Sequence, residues 1–179
     1  LPEESLVVSI FEKDDESRRI WSEQVGLPDD RIYEYGEDEN FWPPNARTQG
    51  PNGPCGPCSE IFYDRGEGTG CGRRNCEPEC DCDRFVELWN LVFQQYDRKE
   101  GGVMDPLPRR NIDTGMGLER MARVKQGVDT NFDIDVFQPL IRQVAETCDV
   151  DPDGESTKAP AARRIADHAR AVFFCIADG

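Results

Sequence analysis

Asn111-Ile112-Asp113-Thr114-Gly115-Met116-Gly117-Leu118-Glu119-Arg120-Met121 is the most informative segment of this 179-residue chain. It predicts a strand end with one carboxylate, then two glycines, then a helix with an arginine in its first turn. A ligand could lie directly on a backbone that lacks side chains at Gly115 and Gly117. Asp113 could then hold an ammonium, and Arg120 an anion near the helix N-terminus. The alternative is a glycine-rich turn with a capping Asp and a solvated Arg.

The chain carries a strong negative charge. It has 21 Lys and Arg against 36 Asp and Glu, a formal net charge of −15. A field of that sign repels nucleic acid, so any RNA contact has to come from local basic residues. The charge therefore argues against one function considered, a zinc-dependent nucleic-acid-binding domain built on the cysteines.

No apolar run approaches the roughly 20 residues that span a bilayer, and no signal peptide is evident. The eight cysteines do not form a secreted disulfide framework. These features together favour a cytoplasmic protein with free thiols or a metal site.

The pattern of apolar residues predicts an α+β fold, with a mostly antiparallel sheet flanked by helices. Gly101-Gly102 marks a hairpin between the strands predicted over 85–96 and 109–114. The predicted strands cover 6–11, 32–35, 58–64, 85–96 and 109–114. Four helices are predicted. The first follows Asp14 or Asp15, the second runs from 117 to about 127, the third begins at 131, and the fourth is the last element of the chain. In the last helix, spacing puts five apolar residues on one face: Ile165, Ala169, Val172, Phe173 and Ile176.

Strand 85–96 has an amide in its centre. Strict alternation puts Asn90 and Val92 on one face and, on the other, Phe85, Glu87, Trp89, Leu91 and Phe93. A buried amide is costly unless it is hydrogen-bonded. Asn90 therefore either contacts a polar ligand group or bonds to neighbouring backbone, as buried amides commonly do.

Two further features carry open alternatives. Trp42 precedes two prolines, which hold it extended, and it could simply pack beneath the loop. Glu60 and Asp64 share a face of strand 58–64 by alternation. Such a pair could serve Mg²⁺ or a substrate amine, although residues of this kind are more often merely exposed.

Four cysteines fall within a segment of twelve residues, spaced as Cys71-x4-Cys76-x3-Cys80-x-Cys82. The segment has hardly any apolar residues and cannot form a core, so a structural Zn²⁺ would supply the order it lacks. Two alternatives stay open: free cysteines in a variable insertion, and a mixed site that uses Cys55 or Cys58.

The segment 113–120 resembles motif 3 of the class II aminoacyl-tRNA synthetases, in the form found in the alanine-specific family. Segments 53–64, 87–93 and 165–179 are similar to the same family in the same order. The resemblance covers almost the whole chain. It implies a class II synthetase fold and an enzyme that activates alanine with ATP and Mg²⁺ before transferring it to tRNA.

The resemblance also assigns roles to individual residues. It implies alanine-binding positions at Trp42, Asn90, Val92, Asp113 and Gly115. It implies ATP-binding positions at Gly117 and Arg120, with Asp113 and Arg120 as the catalytic residues. Many members of the family lack the thiols at Cys71, Cys76, Cys80 and Cys82, which implies that any metal there is a local staple outside catalysis.

The resemblance divides the chain at about residue 130. It implies that 1–130 is the C-terminal part of the catalytic domain and that 131–179 begins a helical tRNA-recognition domain. Composition alone indicates an acidic linker with Pro and Gly over 149–160. The family's motifs 1 and 2 have no counterpart in 1–40, so we expect a longer protein and an inactive isolated chain. A non-catalytic paralogue that binds alanine, tRNA or a protein partner is the alternative function.

Overall fold

The structure is a computed structural model that describes residues 1–151 and 159–179. The described chain forms two compact units, Leu1–Leu118 and Glu119–Gly179. The linker predicted over 149–160 lies for the most part outside the described residues.

Six β-strands of the described residues form one sheet. They are β1 (Leu6–Phe11), β2 (Ile32–Tyr35), β3 (Phe41–Trp42), β4 (Gly53–Asp64), β5 (Phe85–Arg98) and β6 (Met104–Met116). The strand order is β2-β1-β4-β5-β6, and β3 also pairs with β4. Only the β1–β2 pair is parallel among these pairings. The predicted α+β class and mostly antiparallel sheet are confirmed.

Two strands are longer than their sequence suggests. β4 begins at Gly53 rather than at 58, because residues 53–55 continue to pair with the long partner strand β5. β6 begins at Met104 and includes Pro106 and Pro108. Proline is tolerated there because β6 ends the described strand order, and an edge strand has N–H groups that need no ladder partner.

A bulge in β5 changes which residues share a face. Ile61 pairs with Trp89 and Phe62 pairs with Glu87, so Leu88 is an extra residue on β5. A one-residue insertion reverses the alternation on one side of it. The prediction that Phe85 and Glu87 lie opposite Asn90 is therefore wrong, and all three lie on the same face of the sheet.

The first unit has a hydrophobic cluster on each face of the sheet. One cluster is Val8, Ile10 and Ile32, covered by Trp21 and Leu27, and a cluster of Val7, Phe62 and Phe85 lies on the other face. A third cluster is formed by Phe11, Phe41, Ala46 and Cys55. Trp21 belongs to a π-helical turn, Ile20–Val25, that continues α1 (Asp15–Arg19). Asp14 caps α1 as predicted, because its Oδ1 accepts a bond from the Ser17 N–H at 3.0 Å.

The second unit contains α2 (Leu118–Gln126, whose first residue still belongs to the first unit), α3 (Gln138–Cys148) and α4 (Ala159–Asp178). Asn131–Asp133 is a 3-10 turn, so the helix predicted to begin at 131 begins at Gln138 instead. Thr130 and Asp133 cap the start of that turn reciprocally, but the turn ends at Ile134, whose backbone is extended (φ −70°, ψ 154°) and cannot continue a helix. The core of the unit is Ile134, Phe137, Ile141 and Ala166.

Helix α4 packs through small residues. Its buried residues are Ala159, Ala162 and Ala166. Most of the apolar face predicted from spacing is exposed, with Ile165, Val172, Phe173 and Ile176 among the exposed residues. No helix in the two described ranges is both long and apolar enough to cross a membrane.

Candidate substrate-binding site

Four of the predicted alanine-binding residues form one block on β5 and β6. Asn90 pairs with Gly115, and Val92 pairs with Asp113. Directly paired residues of an antiparallel ladder project from the same face, and alternation along each strand adds the second pair to that face. A Cβ built on Gly115 would meet no atom within 4 Å, so the space above this backbone is open.

A chain of polar side chains supports this block from β4 and β1. The Asn90 Nδ2 donates to Glu60 Oε1 at 2.7 Å, and the Ser9 hydroxyl lies 3.4 Å from Glu60 Oε2. The Asn40 Nδ2 donates to Ser9 Oγ at 2.8 Å. Ser9 and Asn40 are fully buried. Because Ser9, Glu60 and Asn90 are consecutive register partners, the network runs across three strands, and Gly115 pairs with Asn90 on the fourth.

The network fixes the orientation of the Asn90 amide. In its hydrogen bond with Glu60 the amide is the donor, so Nδ2 faces Glu60 and Oδ1 faces away from it. The Asn90 Oδ1 is consequently buried, and within the described residues it has no hydrogen-bond partner. A buried carbonyl oxygen left unpaired is costly. A ligand ammonium could satisfy it, and the Asp113 carboxylate on the adjacent strand would supply the countercharge.

The remaining predicted substrate residues lie elsewhere. Trp42 pairs with Gly56 across β3 and β4, and the residue is 43% exposed. The Gly117 N–H donates to Leu88 O at 3.0 Å, which joins the glycine turn to the bulge in β5. Arg120 is the third residue of α2, belongs to the second unit and is exposed.

Glu60 and Asp64 have separate partners. Arg84 donates to both Asp64 oxygens, at 2.8 and 2.7 Å, which holds the pKa of Asp64 below its ordinary value of 3.8. Glu60 instead receives the Asn90 amide. The shared face predicted for them is therefore occupied by two different interactions, an ion pair at the strand end and a polar network in its centre.

Three cysteine sulfurs lie together in the segment between β4 and β5. The Sγ atoms of Cys71, Cys76 and Cys82 are all within 4.8 Å of one another and could hold a metal ion. This group does not include Cys80, Cys55 or Cys58. Burial raises the pKa of Cys58 to about 12, which makes it a poor thiolate ligand.

Sequence reasoning did not identify the supporting residues Ser9 and Asn40, and it gave Glu60 little weight. Ser9 and Glu60 had a weak signal, since each is a polar residue inside an otherwise apolar strand. Asn40 had none, because it ends an acidic, loop-like segment and only the fold makes it fully buried.

Comparison with known proteins shows which family the chain belongs to. The family model described as tRNA synthetases class II (A) matches residues 1–179, and the chain belongs to that family. It is similar to the alanine–tRNA ligases of Desulfosudis oleivorans (50% identical over 180 residues), Oleidesulfovibrio alaskensis (50% over 181) and Thermoanaerobacter sp. strain X514 (48% over 179). Each match covers 100% of this chain and 20% of the relative, so the chain spans about a fifth of their length. The resemblance seen in the sequence is confirmed.

Proposed function

We propose that this chain is part of an alanine–tRNA ligase. Such an enzyme joins alanine to ATP, forming alanyl-adenylate and pyrophosphate, and then passes the alanyl group to the 3′ end of tRNA. One observation carries the proposal: the unpartnered Asn90 Oδ1 lies in the same block as the Asp113 carboxylate and the open backbone at Gly115.

That block suits a small amino acid. The Asn90 Oδ1 and the Asp113 carboxylate are two acceptors for the three N–H groups of an α-ammonium. Val92 is 7% exposed and stands beside Asp113 in the register, where it would bound a methyl-sized side chain. Trp42 is proposed to orient the carboxylate of alanine. The pocket would discriminate by size, which is worth about 1–3 kcal/mol per methylene.

The adenylation step needs positioning and charge neutralisation more than covalent help from the protein. In this proposal Arg120 binds the ATP phosphates, because its guanidinium is permanently charged and presents forked donors. Gly117 allows the nucleotide to approach the backbone. ATP and Mg²⁺ are the cofactors proposed for the reaction. A Zn²⁺ on the cysteine segment would have a structural role only. The compartment proposed for the activity is the cytoplasm.

The second unit offers a basic surface for tRNA. A cavity of about 500 Å³ there is lined by three arginines, Arg123, Arg163 and Arg164, together with Asn131 and Phe132. Guanidinium groups bind phosphates well, and such local charge is needed on a chain with a net charge of −15. We accordingly propose a catalytic role for 1–130 and tRNA recognition for 131–179.

A chimaera tests the proposal directly. This chain would replace the matching region of the Desulfosudis oleivorans alanine–tRNA ligase, which it matches over its whole length. We expect alanine-dependent ATP–pyrophosphate exchange by the chimaera and none by the isolated chain. Folded chimaera without exchange, but with retained binding of an alanyl-adenylate analogue, would favour the non-catalytic paralogue instead. Glycyl and seryl analogues provide the selectivity control.

A further inference from the structure

The cysteine segment between β4 and β5 has no part in the proposed reaction, yet it brings thiols together. The Sγ atoms of Cys76 and Cys82 are 3.6 Å apart. A disulfide would need about 2.05 Å. All eight cysteines of the chain are free thiols. The grouping therefore needs an explanation other than a covalent bond.

The separation of the sulfurs fits a shared metal ion. Zinc binds thiolate sulfur at about 2.3 Å in a tetrahedron, which places neighbouring sulfurs about 3.8 Å apart. The 3.6 Å between Cys76 and Cys82 is close to this value, and Cys71 Sγ lies within 4.8 Å of both. Soft thiolate ligands select Zn²⁺ over the harder ions Mg²⁺ and Ca²⁺.

The segment also has little other structure to stabilise it, so a bound metal ion would order it. It connects β4 to β5 over residues 65–84, contains only the 3-10 turn Glu67–Thr69, and has no buried residue. A connection of that length without secondary structure is uncommon in a compact domain. At its base, the ion pair between Asp64 and Arg84 joins its two ends.

One thiol links the segment to the core. Cys76 packs against the cluster of Val7, Phe62 and Phe85. Gly70 lies against the same sulfur, since a Cβ at Gly70 would be 3.2 Å from Cys76 Sγ. An ion held through Cys76 would therefore fix the connection against the sheet rather than in solvent.

We propose that the thiolates of Cys71, Cys76 and Cys82 bind one Zn²⁺ and that Cys80 is the fourth ligand. Structural zinc sites have four protein ligands almost without exception, and Cys80 lies two residues from Cys82, whose N–H donates to Cys80 O at 2.7 Å. Each thiol releases its proton to solvent as its sulfur binds the ion. The ion is a structural staple, and the inference does not depend on the proposed ligase function.

Metal content of the purified 179-residue chain tests the site. We expect one zinc per chain in the wild type and in the control Cys148→Ser, which removes an exposed thiol outside the segment. Cys76→Ser and Cys82→Ser should each weaken zinc affinity by more than about 100-fold, the upper cost of losing a mere supporting contact. Cys80→Ser should bind more weakly than wild type and more tightly than Cys76→Ser.

A cobalt titration of the chelator-treated wild type covers the case in which a variant fails to fold. One equivalent of Co²⁺ should give the visible bands of a tetrahedral thiolate site, and Zn²⁺ should displace it. Folded wild type without metal, full zinc retention in Cys76→Ser, or iron in place of zinc would overturn the proposal. Wild-type affinity in Cys80→Ser would overturn the fourth ligand.

Discussion

Asn90 donates its side-chain Nδ2 to Glu60 Oε1 at 2.7 Å, across the β4–β5 pair. The bond makes Glu60 a positioning residue: it sets which way the Asn90 amide faces without itself needing to touch the substrate. Glu60, to which sequence reasoning gave little functional weight, thus sets the orientation of Asn90, which the sequence predicts to bind the substrate.

Glu60→Gln should weaken the binding of alanine without changing the binding of ATP. A glutamine can present either its NH2 group or its oxygen to Asn90, so the amide is no longer held in one orientation. Loss of one charge-assisted hydrogen bond predicts a KM for alanine about 10-fold higher, measured by pyrophosphate exchange in the chimaera. The KM for ATP should not change.

Glu87→Gln is the matched control, because Glu87 lines the same small polar pocket as Glu60. It should leave the KM for alanine within about twofold, as expected for a modest change in a partly solvated charge. Equal effects of the two substitutions would contradict a positioning role for Glu60 and indicate a general charge effect.

Gly115→Ala should lower activity about 100-fold and preserve the fold. The added Cβ meets no protein atom within 4 Å and the backbone needs no positive φ, so stability in urea should change by less than about 0.5 kcal/mol. The same methyl would occupy the space proposed for alanine, and displacement of a substrate by about 1 Å can cost 100-fold in rate. A stable, fully active Gly115→Ala chimaera would exclude this face as the substrate site.

Gly56→Ala should have the opposite effect, a loss of stability. Its Cβ would lie 2.0 Å from Phe93 O, a backbone atom that cannot move without disturbing the β4–β5 ladder. We expect the free energy of unfolding to fall by about 3 kcal/mol, the upper range for overpacking. Tryptophan fluorescence reports on this unit alone, because Trp21, Trp42 and Trp89 all belong to it.

The control for Gly56 is Gly68→Ala, whose Cβ would meet nothing within 4 Å. That variant should unfold within about 0.5 kcal/mol of wild type. A similar loss in both variants would mean that the conformational freedom of glycine, rather than the close approach of Phe93, controls stability.

Hydrophobic alternation and turn residues were enough to predict the α+β class, the hairpin at Gly101-Gly102 and the start of α2. They were not enough to locate the bulge at Leu88, because the number of residues between two ladder contacts is set by pairing with β4. The pairing of Asn90 with Gly115 depends on the register between β5 and β6, which the structure shows. The Asn40–Ser9–Glu60 support needed tertiary structure, since its members are 20 or more residues apart.

Arg164→Gln should weaken binding of an RNA acceptor-stem hairpin by the chain. If Arg164 contacts a phosphate from the cavity in the second unit, its loss reduces the slope of log K against log salt by about 1. Arg142→Gln removes an exposed positive charge on α3 that does not line this cavity, and it should leave the slope unchanged. Equal slopes for both variants would argue against this cavity as a tRNA contact.

Asp64→Asn should destabilise the first unit in a pH-dependent way. The side chains of Asp64 and Arg84 are only 20% and 19% exposed, and two charge-assisted bonds join them. With a discount for partial solvation, the loss of unfolding free energy should be about 1–2 kcal/mol at pH 7.

The pKa of Asp64 is lower in the folded chain than its ordinary value of 3.8, so the unfolded chain binds its proton first as pH falls. The stabilisation is therefore complete above about pH 5, declines below 3.8 and disappears once pH falls through the folded pKa. Urea unfolding of both proteins from pH 8 to pH 3 should show their difference constant at first and then shrinking. Asp29→Asn breaks the exposed pair with Arg18 and should show little difference at any pH. A gap between Asp64→Asn and wild type that widens toward acid would contradict the stabilising role of the Asp64–Arg84 pair.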